Sequence, residues 1–313
     1  MDADDFRIVE AVARNGSMSR AAAELNMVQS NVTSRIRVLE EELGVPLFIR
    51  HSRGVEPSEA GLRLLSYAKE IGSLMKEART AVKEDGIPKG RLRIGSTETS
   101  VGLWLPRLAA KYAKKFPQVE LSITTGSTTP LIDQVLERQL DGAFVSGPVS
   151  HEKLSEEPIL DEQLVLVSPT TVRHLDDLAR VEDLRIIVAQ KDCSYRHRLD
   201  SFLGEMGIKH TVMEFSSLDA IITCISAGVG ITLLPAALVD DVWKDRSVAI
   251  HQLPADKTSV QVVFVQRLDS YPTSALNSFL KMCREMVNGE PTARVQQVSA
   301  REISGIKTNR HSS

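Results

Sequence analysis

Between Gly16 and Arg53 the chain runs through a short helical pattern, a tight turn, a longer helical pattern and a basic hairpin. That order of parts constrains the fold more than any other stretch. It reads as a helix-turn-helix with a wing, a unit that lays one helix in the major groove of DNA. Ahead of it, Asp4 to Asn15 sets Phe6, Val9, Val12 and Ala13 at helical spacing, and Gly16 ends the run. Ser19 has the side chain of an N-cap, and Arg20-Ala21-Ala22-Ala23-Glu24-Leu25 follows as strong helix formers. The small alanines let a second helix cross closely over the first. Asn26 and Met27 make the turn, and a third helix is expected from Ser30 to Leu43, with Gly44 at the stop.

In the third helix Val32, Ile36, Leu39 and Leu43 share one stripe, expected to face a core. Ser30, Ser34 and Arg37 fall opposite, with Asn31 and Thr33 on the flanks. Hydroxyls and amides beside an arginine suit base edges and phosphates. The alternative is an ordinary solvated helix face. Leu47-Phe48-Ile49 and Val55-Glu56-Pro57 then read as paired strands, with Arg50 and Arg53 bracketing the turn at phosphate or minor-groove reach. Acidic residues at Asp2, Asp4, Asp5 and Glu40-Glu41-Glu42 offset these arginines. Affinity for DNA must then rest on local charge and on pairing two copies.

From Ser58 to about Glu84 the chain lacks proline, and Leu64, Ala68, Ile71, Met75, Ala78 and Val82 alternate spacings of four and three. This is a heptad seam, which a second copy of the helix would cover; the alternative is a helix lying on a domain of its own chain. Asp85-Gly86-Ile87-Pro88-Lys89-Gly90 breaks the helix and marks the main boundary.

Beyond Gly90 the pattern changes to strands alternating with helices. Strands are expected at 92–95, 119–124 and 142–145, with helices at 101–115 and 129–139 between them. Further strands are expected at 164–167, 185–189, 211–215, 230–234, 248–253 and 260–266, and helices near 195–206, 218–227 and 273–287. Alternation of this kind implies a mostly parallel sheet covered on both faces. Its length suits two α/β subdomains, with crossings near Glu162 and Arg267 and a cleft between the lobes. Three turns face that cleft. Thr97, Glu98, Thr99 and Ser100 follow the first strand, Ser127 and Thr128 follow the second, and Ser194, Tyr195 and Arg196 open a helix in the other lobe. Their amides and hydroxyls suit an anion, and Arg196 can clamp a carboxylate. Each hydroxyl taken alone also suits a plain helix cap. Glu98 either meets an amine on the ligand or pairs with Arg196.

Ser19-Arg20-Ala21-Ala22, the run Gln29 to Glu40, Leu43-Gly44-Val45-Pro46-Leu47-Phe48 and Arg50-His51-Ser52-Arg53-Gly54 together resemble the LysR-type transcriptional regulators, over roughly residues 1 to 287. The resemblance implies a multi-domain α+β chain. A winged helix-turn-helix spans 1–58 and a linker helix 59–87. Effector subdomain I takes 88–162 with 267–287, subdomain II takes 163–266, and the subdomains are similar to periplasmic binding proteins. It further implies Gln29, Ser30, Asn31 and Thr33 at bases, with Arg50 and Arg53 on the DNA backbone. Ser19, Ser34, Arg35 and Arg37 complete the candidate DNA-binding set. Many members carry arginine where this chain has Ser34, with its arginine displaced to Arg35, so no base is assigned to Arg35. Linker-helix dimers, or pairs of dimers, are implied on double-stranded DNA, along with a small-molecule effector and contact with the transcription machinery.

Composition narrows the alternatives. With a net charge of −3, no membrane-length apolar run and an acidic start, the expectation is a cytoplasmic protein without a membrane partner. Cys193, Cys224 and Cys283 lack metal-ligand spacing, so no metal or cofactor is expected; Cys193 in the cleft leaves a thiol-sensing regulator as an alternative. Against an enzyme, the chain has no glycine-rich phosphate loop, nucleophile elbow or paired-histidine zinc motif. The polar stretch 288–313 is expected to be a disordered tail.

Overall fold

The computed structural model describes residues 1–52, 54–189, 193–215, 217–242 and 247–289. Most of the expected tail, from residue 290 on, lies outside these. The chain forms two compact units, Met1–Asp85 joined by Glu137–Gln139, and the remainder from Gly86 onward. Among the described residues no helix is long and apolar enough to cross a membrane.

The first unit opens with α1 (Ala3–Asn15), whose N-terminus is closed by a reciprocal capping box between Asp2 and Asp5. Helix α2 (Met18–Glu24) is capped by Ser17, not by Ser19 as expected. Ser17 has extended backbone and its Oγ accepts from the Arg20 amide, whereas Ser19 already stands in the helix's first turn with its side chain exposed. Helix α3 (Gln29–Leu43) begins one residue before the expected Ser30 and ends at Gly44, whose φ of 70° only glycine adopts without strain. Strands β1 (Phe48–His51) and β2 (Gly54–Pro57) form the wing hairpin.

Ile8, Val9, Val12, Ala21, Ala22, Val32, Ile36, Leu39, Leu47 and Phe48 form the core of this unit. Leu43 departs from the expected stripe and is exposed, because α3 ends there and the chain turns away at Gly44. The Glu40-Glu41-Glu42 run is bound up locally. Glu40 Oε1 accepts from the amides of Leu47 (2.7 Å) and Phe48 (3.1 Å), Glu41 pairs with Arg37, and Glu42 with the chain's amino terminus.

Helix α4 (Glu59–Val82) is capped by Ser58, whose hydroxyl accepts from the Gly61 amide and donates to the Pro46 carbonyl. Gly61 lies so close to the chain entering β1 that a Cβ there would stand 2.1 Å from the Leu47 carbonyl oxygen. This approach settles part of the heptad seam differently from expectation. Leu64 packs on the core of its own unit and Ala68 is fully buried, so the seam's first turns are covered by this chain. Ala78 and Val82 are exposed, and so are Leu62, Tyr67 and Leu74 on the same helix.

In the second unit β3 (Gly90–Ser96), α5 (Glu98–Leu103), α6 (Leu105–Lys115), β4 (Val119–Thr125), α7 (Thr128–Leu136) and β5 (Gly142–Ser146) follow the expected alternation. The single helix expected over 101–115 is broken at Trp104, where Pro106 in the first turn of α6 forces a new start. Strand β6 (Leu154–Pro169) is far longer than the expected 164–167. After it come β7 (Arg185–Val188), α8 (Ser194–Glu205), β8 (Thr211–Glu214), α9 (Leu218–Ser226), β9 (Thr232–Pro235), α10 (Ala236–Val242), β10 (Val248–His251), α11 (Ala255–Thr258), β11 (Ser259–Arg267) and α12 (Ser274–Gly289).

Seven strands join in the order β10-β6-β11-β5-β3-β4, with β9 also on β6. Within this sheet β3, β4 and β5 pair in parallel and β6, β9, β10 and β11 make antiparallel ladders, so it is mixed instead of mostly parallel; β7 and β8 form a separate parallel pair. Strand β6 is the cause. Its first part, to Gln163, pairs with β11, and its second part, from Leu164, pairs with β9 and β10. It therefore belongs to both lobes. Because β11 lies beside β5 and the first part of β6, the chain returns to the first lobe at 254–259, not near Arg267. Each lobe has its own apolar cores, one centred on Phe144, Phe264 and Phe279, another on Leu166, Ile186, Leu199 and Leu203.

Candidate functional site

In the first unit, α3 presents a polar row above its apolar stripe. Gln29, Ser30, Asn31, Ser34 and Arg37 are exposed and Thr33 is half-buried, while Val32, Ile36 and Leu39 lie in the core beneath them. Arg35 is occupied differently. Its guanidinium donates to Asp5 Oδ1 (2.8 Å) and Asp2 Oδ1 (2.7 Å), tying α3 to the start of α1. These carboxylates raise the arginine's pKa further and hold that of Asp2 below the usual range. Ser19 is exposed near the start of α2, and Arg50 is exposed on β1 opposite Val55. Arg53 lies outside the described residues. Hydroxyl and amide groups in one row beside cationic Arg37 and Arg50 can pair with base edges and phosphate oxygens.

The second unit holds a cleft between its two lobes. Thr97, Glu98, Thr99, Gly126, Ser127, Thr128 and Ser146 line it from the first lobe. From the second come Val188, Ala189, Cys193, Ser194, Tyr195, Arg196, Leu199, Leu218, Ile221, Thr232, Leu233 and Leu234. Five of the six expected ligand residues, Glu98, Thr99, Thr128, Tyr195 and Arg196, therefore meet in one cavity. Ser100 does not line it. Ser100 is fully buried behind the surface, where its Oγ accepts from the Thr97 hydroxyl at 3.2 Å. The aliphatic wall from α9 and β9 is not legible in the sequence, where its spacing reads as ordinary core until the lobes are placed face to face.

Beneath the cleft runs a buried polar chain that sequence spacing does not reveal. The Tyr195 hydroxyl donates to Glu162 Oε2 at 2.8 Å and lies 3.3 Å from the Thr99 hydroxyl. Thr99 belongs to the first lobe, Tyr195 to the second, and Glu162 to the strand they share. Glu162 is only 6% exposed and its second oxygen has no hydrogen-bond partner. Burial pushes its carboxyl up to about 7, against the opposing effect of the tyrosine hydrogen bond. Burial also lifts the Tyr195 phenol well above its ordinary range.

The two charged side chains among the described residues of the cleft wall are in different situations. Arg196 Nε lies 3.3 Å from Asp200 Oδ2, one helical turn along α8, and Asp200 also meets His210 Nε2 at 2.8 Å. Glu98 Oε2 is buried without a hydrogen-bond partner, and desolvation raises this carboxyl's pKa. The expected pairing of Glu98 with Arg196 does not form. Burial likewise pushes the Cys193 thiol up, which disfavours the thiolate that oxidation requires.

Comparisons with known proteins align with this layout. Residues 3–62 match the model of the bacterial regulatory helix-turn-helix protein, lysR family, and residues 85–288 match the LysR substrate binding domain. The HTH-type transcriptional regulator GltR of Bacillus subtilis is 41% identical over 281 residues, covering 90% of this chain and 95% of the relative. YofA of the same organism, also an HTH-type transcriptional regulator, is 42% identical over 91% of this chain and 99% of its own length. Among solved structures, full-length CbnR complexed with its target DNA superposes with a TM-score of 0.64 at 22% identity, covering 91% of this chain and 99% of that one.

Proposed function

Since the chain belongs to the LysR family of transcriptional regulators, we propose that it reads duplex DNA through α3 and the wing, and couples that binding to a small effector held between two α/β lobes. The observation that carries the reading is the polar row of Gln29, Ser30, Asn31, Ser34 and Arg37, set on a helix whose opposite face is locked into the core. Gln29, Asn31 and Thr33 are assigned to base edges, and Arg37, Arg50 and Arg53 to the backbone. Arg35 holds α3 in place.

Two copies act together in this reading. The exposed Tyr67, Leu74, Ala78 and Val82 on α4 support pairing with a second chain along the outer part of the helix. Pairing of dimers and contact with the transcription machinery follow the family plan, and the work takes place in the cytoplasm.

The effector is a small organic acid or an amino-acid-like metabolite. A cleft with an aliphatic wall, several hydroxyls and Arg196 supports that class. The effector shifts promoter output only by as much as it prefers one arrangement of the assembly over another. The α/β unit is thus assigned to sensing in place of catalysis, and ligand binding is preferred to thiol oxidation because burial raises the pKa of the Cys193 thiol.

Footprinting on the DNA upstream of the protein's own gene tests the reading. Protected half-sites that weaken steeply with salt are expected. No preference for this DNA over shuffled sequence would refute it.

A further inference from the structure

We propose that Glu98 is the receptor for an amine, so that the cleft selects effectors carrying an ammonium group on a largely apolar body. This deepens the effector reading above and rests on it. Three observations support it, each from the cleft itself.

The first is charge balance. Among the described residues Glu98 and Arg196 are the charged groups in the cleft wall, and Arg196 already has Asp200 beside it at 3.3 Å. The guanidinium is thus largely balanced from behind, whereas the carboxylate of Glu98 is not. The second is the buried, unpartnered Oε2 of Glu98. A desolvated carboxylate oxygen with no donor is costly in the free protein, and a ligand that brings an N–H to it removes that cost. A carboxylate ligand brings repulsion at the same point. The third is the rest of the lining. Thr97, Ser127, Thr128 and Ser146 supply neutral oxygen acceptors from the same lobe, and Leu199, Leu218, Ile221, Leu233 and Leu234 supply an aliphatic wall opposite. That combination suits a cationic head on a hydrocarbon body. A carboxylate on the same molecule is free to meet Arg196, so apolar α-amino acids satisfy both ends.

The test uses full-length protein without DNA and a matched panel: the protein amino acids, the amines left by decarboxylating them, and the acids left by removing the amino group. Melting is followed by tryptophan fluorescence, and affinity by calorimetry for compounds that raise the melting temperature. Ammonium-bearing members with apolar side chains are expected to stabilise the protein, and their deaminated partners to do so at least tenfold more weakly. Glu98→Gln is expected to fold as well as the parent, since it keeps the shape and the unpartnered oxygen position while removing the carboxylate, and to lose at least tenfold in affinity for the amines.

Three outcomes overturn the proposal: no amine in the panel binds, the deaminated acids bind as well as their amino counterparts, or Glu98→Gln keeps full amine affinity. The panel on the unaltered protein decides the matter even if the variant fails to fold. Because DNA is left out, loss of the regulator reading would show separately as failed footprinting, while the amine result would stand or fall alone.

Discussion

Glu162→Gln gives the sharpest physical test of the α/β unit. A buried carboxyl whose folded-state pKa is raised stabilises the fold only while it is protonated. Here the ordinary value is 4.5 and the folded value about 7, so the contribution is complete below about 4.5 and is lost as pH climbs through about 7. At about 1.4 kcal/mol per unit, the unaltered protein should lose about 3 kcal/mol at alkaline pH relative to a variant that cannot ionise there. Glutamine keeps the shape, and its carbonyl oxygen can still accept from Tyr195. The variant should match the parent near pH 4 and exceed it by about 3 kcal/mol near pH 8. Urea unfolding across that range measures the gap. Trp104 lies in the second unit, so its fluorescence follows the relevant transition. A gap that stays constant with pH, or that widens on acidification, would refute the assignment of a raised pKa to this carboxyl.

Three further outcomes can be checked independently. Arg50→Ala should weaken binding to every DNA sequence alike and reduce the salt slope by about one, as lost phosphate contacts do; a change in sequence preference instead would place Arg50 at a base. Leu74→Glu should convert dimers to monomers in light scattering without lowering the melting temperature of the DNA-binding unit, since Leu74 is exposed in the single chain. Gly61→Ala should destabilise the first unit by about 1–3 kcal/mol, the usual cost of overpacking, because the new methyl meets the Leu47 carbonyl; an unchanged unfolding midpoint would show that α4 can move aside.

How far the sequence reveals these features depends on the range of the contacts involved. The three N-terminal helices are legible because their boundaries and buried faces are local: Val32, Ile36 and Leu39 recur at helical spacing, and Gly16 and Gly44 sit where the helices stop. Ser17 and Ser19 offer the same N-cap chemistry two positions apart, and only the backbone angle separates them. The first half of β6 is not legible because two adjacent glutamates and a proline, Glu156-Glu157-Pro158, run against a strand pattern. In the fold Pro158 lies opposite Val263 at a register shift in the ladder, where a missing amide is tolerated. In the cleft, the turns of hydroxyl residues could be picked out, since each follows a strand. The demotion of Ser100 and the arrival of Glu162 could not, because both depend on partners brought together from distant segments.

The continuous run of β6 from Leu154 to Pro169 also bears on mechanics. Hydrogen-bonded ladders grip it at both ends, so any swivel of one lobe against the other has to be absorbed as torsion along a stiff ribbon.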